Sequence, residues 1–218
     1  MPEVEKVKNV FQKIPDIYDK MNTVMSMGMD VFWRLELVKL MPSSGLIIDV
    51  GTGTGKLRDF YLGNARIIGI DITKEMMLFG KHKGDLIIGS GTDMPFRDSM
   101  ADGIMSSFVL RNLPSTEKYF AEAFRVLRNG GIIANLDAFP EHRPFIAQFF
   151  SLYFYDVMPH LGNRISRSDS YNYLAKSVKN FKEPVIIKKE MENAGFSDVV
   201  VRKFRSPSAC LIYGKKIQ

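Results

Sequence analysis

An apolar segment that runs directly into a glycine-rich loop is the feature that most constrains how this chain can fold. Residues 46–57 read LIIDVGTGTGKL: a short apolar strand, an acid at Asp49, and then Gly51, Gly53 and Gly55 at alternate positions. Because glycine adopts positive φ and carries no side chain, such a loop can bring backbone N–H groups close to a ligand. The pattern predicts a strand followed by a ligand-binding turn.

A second predicted strand supplies an acid at a spacing that is typical of nucleoside-binding folds. Residues 65–70 form this strand, and Asp71 ends it, twenty residues after Gly51. A carboxylate at that place can accept hydrogen bonds from both hydroxyls of a ribose. The loop and the acid together predict a nucleoside-binding domain of the α/β class.

The loop differs from the two common phosphate-binding motifs. A dinucleotide fingerprint has two residues between its second and third glycines, whereas one residue separates Gly53 and Gly55. A P-loop has four residues between its glycines, but Gly51 and Gly55 enclose three. Leu57 follows Lys56 and has no hydroxyl to hold Mg²⁺. The ligand is therefore expected to be neither a dinucleotide nor a nucleoside triphosphate.

The following segments predict a sheet whose strands alternate with helices. Strands are expected at residues 86–88, 102–108 and 132–136, and Ser115 is placed to cap a helix between the last two. Such alternation favours a mostly parallel sheet with helices on both faces, whose ligands bind beyond the carboxyl ends of the strands. Five polar residues lie at or just beyond such ends and predict one shared site: Asp49, Asp71, Ser90, Arg111 and Asp137.

Composition narrows the class of protein. The 218 residues suffice for one domain with a full core, and no segment reaches the roughly 18 uninterrupted apolar residues of a membrane span. The charged N-terminal residues disfavour a signal peptide, and the single cysteine, Cys210, excludes an internal disulfide, so we expect a cytoplasmic protein. The three histidines lack metal-ligand spacing, and no metal is expected.

Positive charge is concentrated in the last quarter of the chain. Residues 162–218 hold twelve Lys or Arg against five Asp or Glu, a balance of +7 within a net charge of +6. These charges are spread as on a solvated helix face, and no dense basic run or aromatic-interleaved motif indicates RNA binding. We therefore expect no nucleic-acid partner.

The glycine-rich loop with Asp71 resembles motif I and the second-strand acid of class I S-adenosylmethionine (SAM) methyltransferases. The resemblance implies SAM as the cofactor and a Rossmann-like class I methyltransferase fold with a mostly parallel seven-stranded sheet. The cofactor-binding residues that it implies are Asp49, Gly51, Thr52, Gly53, Gly55, Asp71, Ile72, Ser90, Gly91, Thr92 and Ser107.

Two further signatures resemble the demethylmenaquinone/ubiquinone C-methyltransferase family. Residues 18–34, YDKMNTVMSMGMDVFWR, are similar to its opening signature, and residues 107–112, SFVLRN, are similar to its SFGLRN motif. Asp30 stands where the family signature has histidine. Ser90 stands where the family has the acid that holds adenine, and Asp93 or backbone groups could take that role.

The resemblance implies methyl transfer from SAM to a ring carbon of a prenylated quinol, either demethylmenaquinol or a ubiquinone precursor. It assigns catalytic roles to Arg111, Asn112 and Tyr18. We interpret Arg111 as stabilising a phenolate, because arginine is a poor base, and the other two as orienting the hydroxyl or the methyl group. The residues alone leave open that Arg111 pairs with Asp102 or Asp137 and that Tyr18 is a packing residue.

The same resemblance suggests an organisation and a set of partners. Residues 1–41 are expected to form a helical cap over the site, and residues 42–218 the SAM-binding domain, with an aromatic-rich helical insertion at about 144–181. The expected partners are a lipid-soluble quinol, the inner face of a membrane in transient contact, and a second copy in a homodimer.

Two other functions stay open at this point. The chain could be a SAM-dependent methyltransferase that acts on another lipid, a small phenol or RNA. It could also be a non-catalytic SAM-fold protein that serves as a scaffold in a biosynthetic assembly.

Overall fold

One seven-stranded sheet organises the chain in a computed structural model that describes residues 4–82, 84–140, 153, 157, 160, 162–164, 170–204 and 209–217. The strands are β1 Leu46–Val50, β2 Arg66–Asp71, β3 Leu86–Ile88, β4 Ala101–Ser107, β5 Leu127–Ala138, β6 Ser197–Lys203 and β7 Ala209–Lys215. Their order in the sheet is β3-β2-β1-β4-β5-β7-β6.

The sheet is parallel from β3 to β5 and antiparallel at its other edge. β1 pairs in parallel with β2 and β4, and the outer pairs β2–β3 and β4–β5 are parallel as well. β7 lies antiparallel between β5 and β6. The prediction of a mostly parallel seven-stranded sheet is therefore confirmed.

Seven helices in the described part of the chain cover both faces of this sheet. Neighbouring residues of β1 point to opposite faces, so Ile47 joins one apolar cluster and Ile48 the other. The helices are α1 Val4–Phe11, α2 Tyr18–Met25, α3 Met29–Val38, α4 Lys74–Phe79, α5 Thr116–Val126, α6 Ser170–Lys179 and α7 Pro184–Asn193. The first cluster includes residues of α1, α2, α3 and α6, and the second includes residues of α5 and α7.

The predicted elements differ from the observed ones at two places. The spacing of Leu57, Phe60 and Tyr61 predicts a short helix after the glycine-rich loop, but the segment forms a single 3₁₀ turn, Arg58–Phe60. The chain turns back at Asn64, whose N donates to Ser43 O in the segment before β1. The strand expected at residues 132–136 begins five residues earlier, because Gly130 N donates to Lys216 O and draws this segment into the sheet.

Other expectations hold or lie outside the described residues. Ser115 caps α5 by accepting a hydrogen bond from Lys118 N at 3.1 Å, as predicted. The aromatic segment within the expected insertion lies outside the described residues apart from a few isolated positions. None of the helices in the described segments is both long enough and apolar enough to span a membrane.

The loop after β1 depends on close packing at Gly51. Gly51 has φ +64°, and a Cβ added there would lie 2.8 Å from Val109 Cγ1 and closer still to Cγ2. Position 51 therefore requires glycine for two reasons: its φ is positive, and Val109 occupies the space that a Cβ would take.

Asp49 is the next-to-last residue of β1, and its side chain is almost fully buried. Its side chain is 1% exposed, and its Oδ2 accepts a hydrogen bond from Thr52 Oγ1 at 2.6 Å. Burial raises the pKa of Asp49 to about 6, although this hydrogen bond and the nearby Arg58 act in the opposite direction. The ionised Asp49 carboxylate therefore destabilises the folded state.

We expect Gly51→Ala to lower the free energy of unfolding by about 2–4 kcal/mol, since it adds a left-handed backbone cost to an overlap with Val109. Adding Val109→Gly should recover the part that is due to the overlap. Urea unfolding of the single and double variants measures both.

Gly130→Ala is the matched control, because Gly130 also has positive φ but nothing lies within 4 Å of an added Cβ. It should lower stability by about 1–2 kcal/mol. Equal losses in Gly51→Ala and Gly130→Ala would show that contact with Val109 is unimportant.

We expect Asp49→Asn to raise the unfolding free energy by about 1–3 kcal/mol at neutral pH. The folded-state pKa of Asp49 is raised above the reference value of 3.8. The destabilisation of the folded protein by the ionised carboxylate is therefore absent below about pH 4 and grows as pH rises through 6. The gap between the variant and the native protein in urea unfolding should widen over this interval.

Asp98→Asn, at a side chain that is 76% exposed, is the control and should change stability by about 0.5 kcal/mol or less. A stability gap for Asp49→Asn that stays constant from pH 4 to pH 7.5 would contradict the assignment of the raised pKa.

Candidate active site

A cleft opens at the carboxyl ends of the parallel strands. It has a volume of about 910 Å³, counted to its open mouth. The cleft is lined by the loops that follow β1, β2, β3 and β4 and by residues of α1, α2 and α3. The predicted site residues that line it are Tyr18, Asp49, Gly51, Thr52, Gly53, Asp71, Ile72, Ser90, Gly91, Ser107 and Asn112.

The glycine-rich loop is held to the end of β2. Ile70 O accepts hydrogen bonds from Gly51 N at 2.8 Å and from Thr52 N at 3.1 Å. Asp71 Oδ2 accepts from Gly53 N at 2.8 Å. These amides are therefore used within the protein, and the loop serves a ligand by close approach of its backbone rather than by an array of free N–H donors.

Asp71 retains capacity to bind a ligand. Its Oδ1 accepts from Thr73 N at 2.8 Å, so each carboxylate oxygen has one short backbone hydrogen bond. A carboxylate oxygen can accept more than one hydrogen bond, so ribose hydroxyls can also bind there. Burial raises the pKa of this carboxyl group, and its backbone hydrogen bonds oppose that shift.

The loop after β3 is compact and closes on itself. Ser90 Oγ lies 2.9 Å from Thr92 Oγ1 and accepts from Thr92 N at 3.2 Å, while Asp93 N donates to Ser90 O at 3.3 Å. Ser90 and Gly91 line the cleft, whereas Thr92 and Asp93 are not among its lining residues. Backbone groups near Ser90 are thus better placed than Asp93 to meet an adenine.

Tyr18 and Asn112 line the cleft from two different elements. Tyr18 begins α2, and Asn112 ends a 3₁₀ turn after β4, where its Oδ1 accepts from Tyr173 Oη at 3.2 Å. Burial raises the pKa of the Tyr18 phenol, while the positive fields of Arg111 and Arg34 lower it. A phenol at this point of the cleft therefore lies in the positive field of two arginines.

Arg111 lies beside the cleft and is not among its lining residues. Its Nη1 forms an ion pair with Asp137, its backbone N donates to the same carboxylate at 3.2 Å, and its Nε donates to Ser177 Oγ at 3.2 Å. Of the two pairings that the sequence left open, Asp137 is the partner, since Asp102 instead pairs with Arg128.

The cleft also contains residues that the sequence patterns did not predict. Thr54 lines it, whereas the predicted neighbour Gly55 does not. Asp19 and Arg34 line it too, and both lie within the N-terminal signature, which was the available signal. An apolar wall completes the cleft: Val4, Val7, Phe11, Leu57, Met76, Phe108, Val109, Leu113 and Pro114.

The residues present fit SAM. Asp71 has acceptor capacity for a ribose, and the backbone of Gly51 and Gly53 lines the cleft directly. Asp19 Oδ1 is buried without a hydrogen-bond partner in the described residues, which indicates a place for a cationic donor. Arg34 contributes a cation to the same cleft.

Solved structures share the fold. A SAM-dependent methyltransferase from Thermotoga maritima, described as a possible histamine N-methyltransferase, superposes with a TM-score of 0.69 at 17% identity and covers 96% of this chain and 99% of its own. Phosphoethanolamine N-methyltransferase 2 from Haemonchus contortus, solved with SAM bound, has a TM-score of 0.59 at 13% identity over 85% of this chain and 52% of its own.

Sequence comparison gives the family. The model of the ubiE/COQ5 methyltransferase family matches residues 2–216. The ubiquinone/menaquinone biosynthesis C-methyltransferase UbiE of Roseobacter denitrificans is 32% identical over 100% of this chain and 94% of its own. The demethylmenaquinone methyltransferase of Staphylococcus saprophyticus is 33% identical over 97% of each. The chain therefore belongs to the ubiE/COQ5 methyltransferase family and is a SAM-dependent methyltransferase.

Proposed function

We propose that this chain methylates a ring carbon of a prenylated quinol, a demethylmenaquinol or a ubiquinone precursor, in quinone biosynthesis. One observation carries the proposal: the cleft that holds the glycine-rich loop and Asp71 also contains Tyr18 and Asn112 beside an apolar wall. The names of the relatives from Roseobacter denitrificans and Staphylococcus saprophyticus support the same substrate class.

The chemistry needs a cofactor, an activated ring and correct alignment. SAM, when bound, supplies an electrophilic methyl group. Asp71 would hold its ribose, and the loop at Gly51 and Gly53 would lie against it. Tyr18 and Asn112 would orient the ring hydroxyl, so that the adjacent carbon faces the methyl group, and such alignment supplies several kcal/mol of the barrier.

Arg111 would act through its positive field. Its guanidinium is held by Asp137 and Ser177, and it lowers the pKa of the neighbouring Tyr18 phenol against the effect of burial. A quinol hydroxyl beside Tyr18 would lose its proton to water more readily in the same field. The resulting phenolate makes the neighbouring ring carbon nucleophilic.

A lipid-soluble quinol has to be collected from a membrane, and we infer a transient peripheral contact at its inner face. Three large apolar side chains near the junction of α2 and α3 support this: Val24, Met27 and Phe32 are 53%, 61% and 45% exposed. Val24 and Phe32 lie on α2 and α3, which contribute to the cleft, and Met27 lies in the turn between these helices.

We expect Asp71→Asn to weaken the binding of S-adenosylhomocysteine by about 1–3 kcal/mol in titration calorimetry, because ribose hydroxyls lose a charged acceptor. The loss should shrink for an analogue that lacks both ribose hydroxyls. Asp98→Asn removes one exposed negative charge as a control, and an affinity of Asp71→Asn equal to that of this control would refute the ribose assignment.

The acceptor is tested with methyl-labelled SAM, a demethylated quinol and total RNA in parallel. We expect label at a ring carbon of the lipid and none in RNA. Replacing Arg111 alone would strand the buried Asp137, so the informative variant is Arg111→Met with Asp137→Leu. It should lower turnover by about 100-fold or more while leaving the affinity for SAM within about 3-fold.

The double change Lys188→Met with Glu192→Leu removes an exposed ion pair on α7 and serves as the control. Label found only in RNA would overturn the proposed acceptor. Full turnover in the Arg111 and Asp137 double variant would make their ion pair purely structural.

A further inference from the structure

Two oppositely charged side chains from the N-terminal helices enter the cleft without a role in the steps described so far. Asp19 lies in the first turn of α2, and Arg34 lies in α3. Both line the cleft together with the glycine-rich loop. Their charges, contacts and position relative to Asp71 point to one part of the cofactor.

Arg34 is held in place by contacts that use only part of its guanidinium. The residue is 5% exposed, its Nη1 donates to Ser107 Oγ at 2.6 Å, and its carbon Cζ lies 5.1 Å from the centre of the Phe108 ring. Nε lies 3.7 Å from Asp30 Oδ2 and has no hydrogen-bond partner in the described residues. A guanidinium has five N–H donors, so capacity for an anion remains.

Asp19 has the complementary property. Its Oδ2 accepts a hydrogen bond from Thr54 Oγ1 of the glycine-rich loop at 2.8 Å. Its Oδ1 is buried and has no partner among the residues that the structure describes. A buried carboxylate oxygen without a donor is costly, which indicates that a cationic donor belongs there.

The position of this pair matches the layout of the sheet. Asp71 ends β2, and the loop with Ser90 follows β3 on one side of it. Arg34 and Asp19 instead contact Ser107 and Thr54, which belong to β4 and the loop after β1 on the other side. A linear cofactor with its ribose at Asp71 and its adenine near Ser90 would therefore place its remaining end between Asp19 and Arg34.

That end of SAM is an amino acid, with one positive and one negative group. We infer that Asp19 binds the α-ammonium group and Arg34 the α-carboxylate group of the cofactor, so that the N-terminal helices complete the SAM site. The inference rests on the proposed function of the cleft as a SAM site. It assigns to this chain an ion-pair clamp outside the glycine-rich motif.

Three thioether ligands separate the two charges by titration calorimetry. S-adenosylhomocysteine carries both groups, S-adenosyl-3-thiopropylamine keeps only the amine, and 5′-methylthioadenosine has neither. Arg34→Met should weaken only the first, by about 10- to 100-fold. Asp19→Asn should weaken the first two by about 10-fold or more and leave methylthioadenosine within about 3-fold.

Arg66→Met is the matched control, because Arg66 is an exposed cation on β2 that pairs with Asp85. It should leave all three affinities within about 3-fold. Arg34→Lys keeps the charge but loses the planar fork, so it should weaken the binding of S-adenosylhomocysteine less than Arg34→Met does. It also provides the test of the carboxylate contact if Arg34→Met folds poorly.

The outcomes separate the two levels of inference. Equal weakening of methylthioadenosine and S-adenosylhomocysteine in the variants, or unchanged affinity for the latter, would overturn the clamp while the nucleoside site stands. Failure of the native protein to bind either ligand would overturn the SAM site itself, and with it the clamp.

Discussion

Hydrogen bonds between the glycine-rich loop and the end of β2 fix the geometry on which the whole site depends. Gly51 N and Thr52 N donate to Ile70 O, and Gly53 N donates to Asp71. The same carboxylate therefore shapes the loop and faces the cleft. Parallel pairing of β1 with β2 makes this possible, because it brings the two strand ends to one edge of the sheet.

The sequence was most informative where chemistry and local geometry coincide. β3 begins and ends at the predicted residues, and the spacing of the glycines and Asp71 indicated one site at the strand ends. The prediction of a helix after the loop was wrong because the chain turns back at Asn64 to contact Ser43, just before β1, and no local pattern records that contact. The same holds for the early start of β5, which depends on Lys216.

Long-range contacts also explain which site residues were missed. The hydrogen bond of Arg34 to Ser107 spans 73 residues, and that of Asp19 to Thr54 spans 35. Both residues belong to a recognisable signature, but their neighbours are known only from the folded chain. Whether Arg111 pairs with Asp102 or Asp137 was likewise a question of strand register rather than of residue type.

The position of Tyr18 next to Asp19 has a consequence for the order of binding. The two residues share the first turn of α2, one directed to the proposed acceptor and the other joined to the cofactor loop through Thr54. A cofactor that engaged Asp19 would also restrict Tyr18, and the acceptor would then meet a more ordered wall. Because linkage is reciprocal, each ligand would raise the affinity for the other, and the methyl donor and acceptor would bind cooperatively.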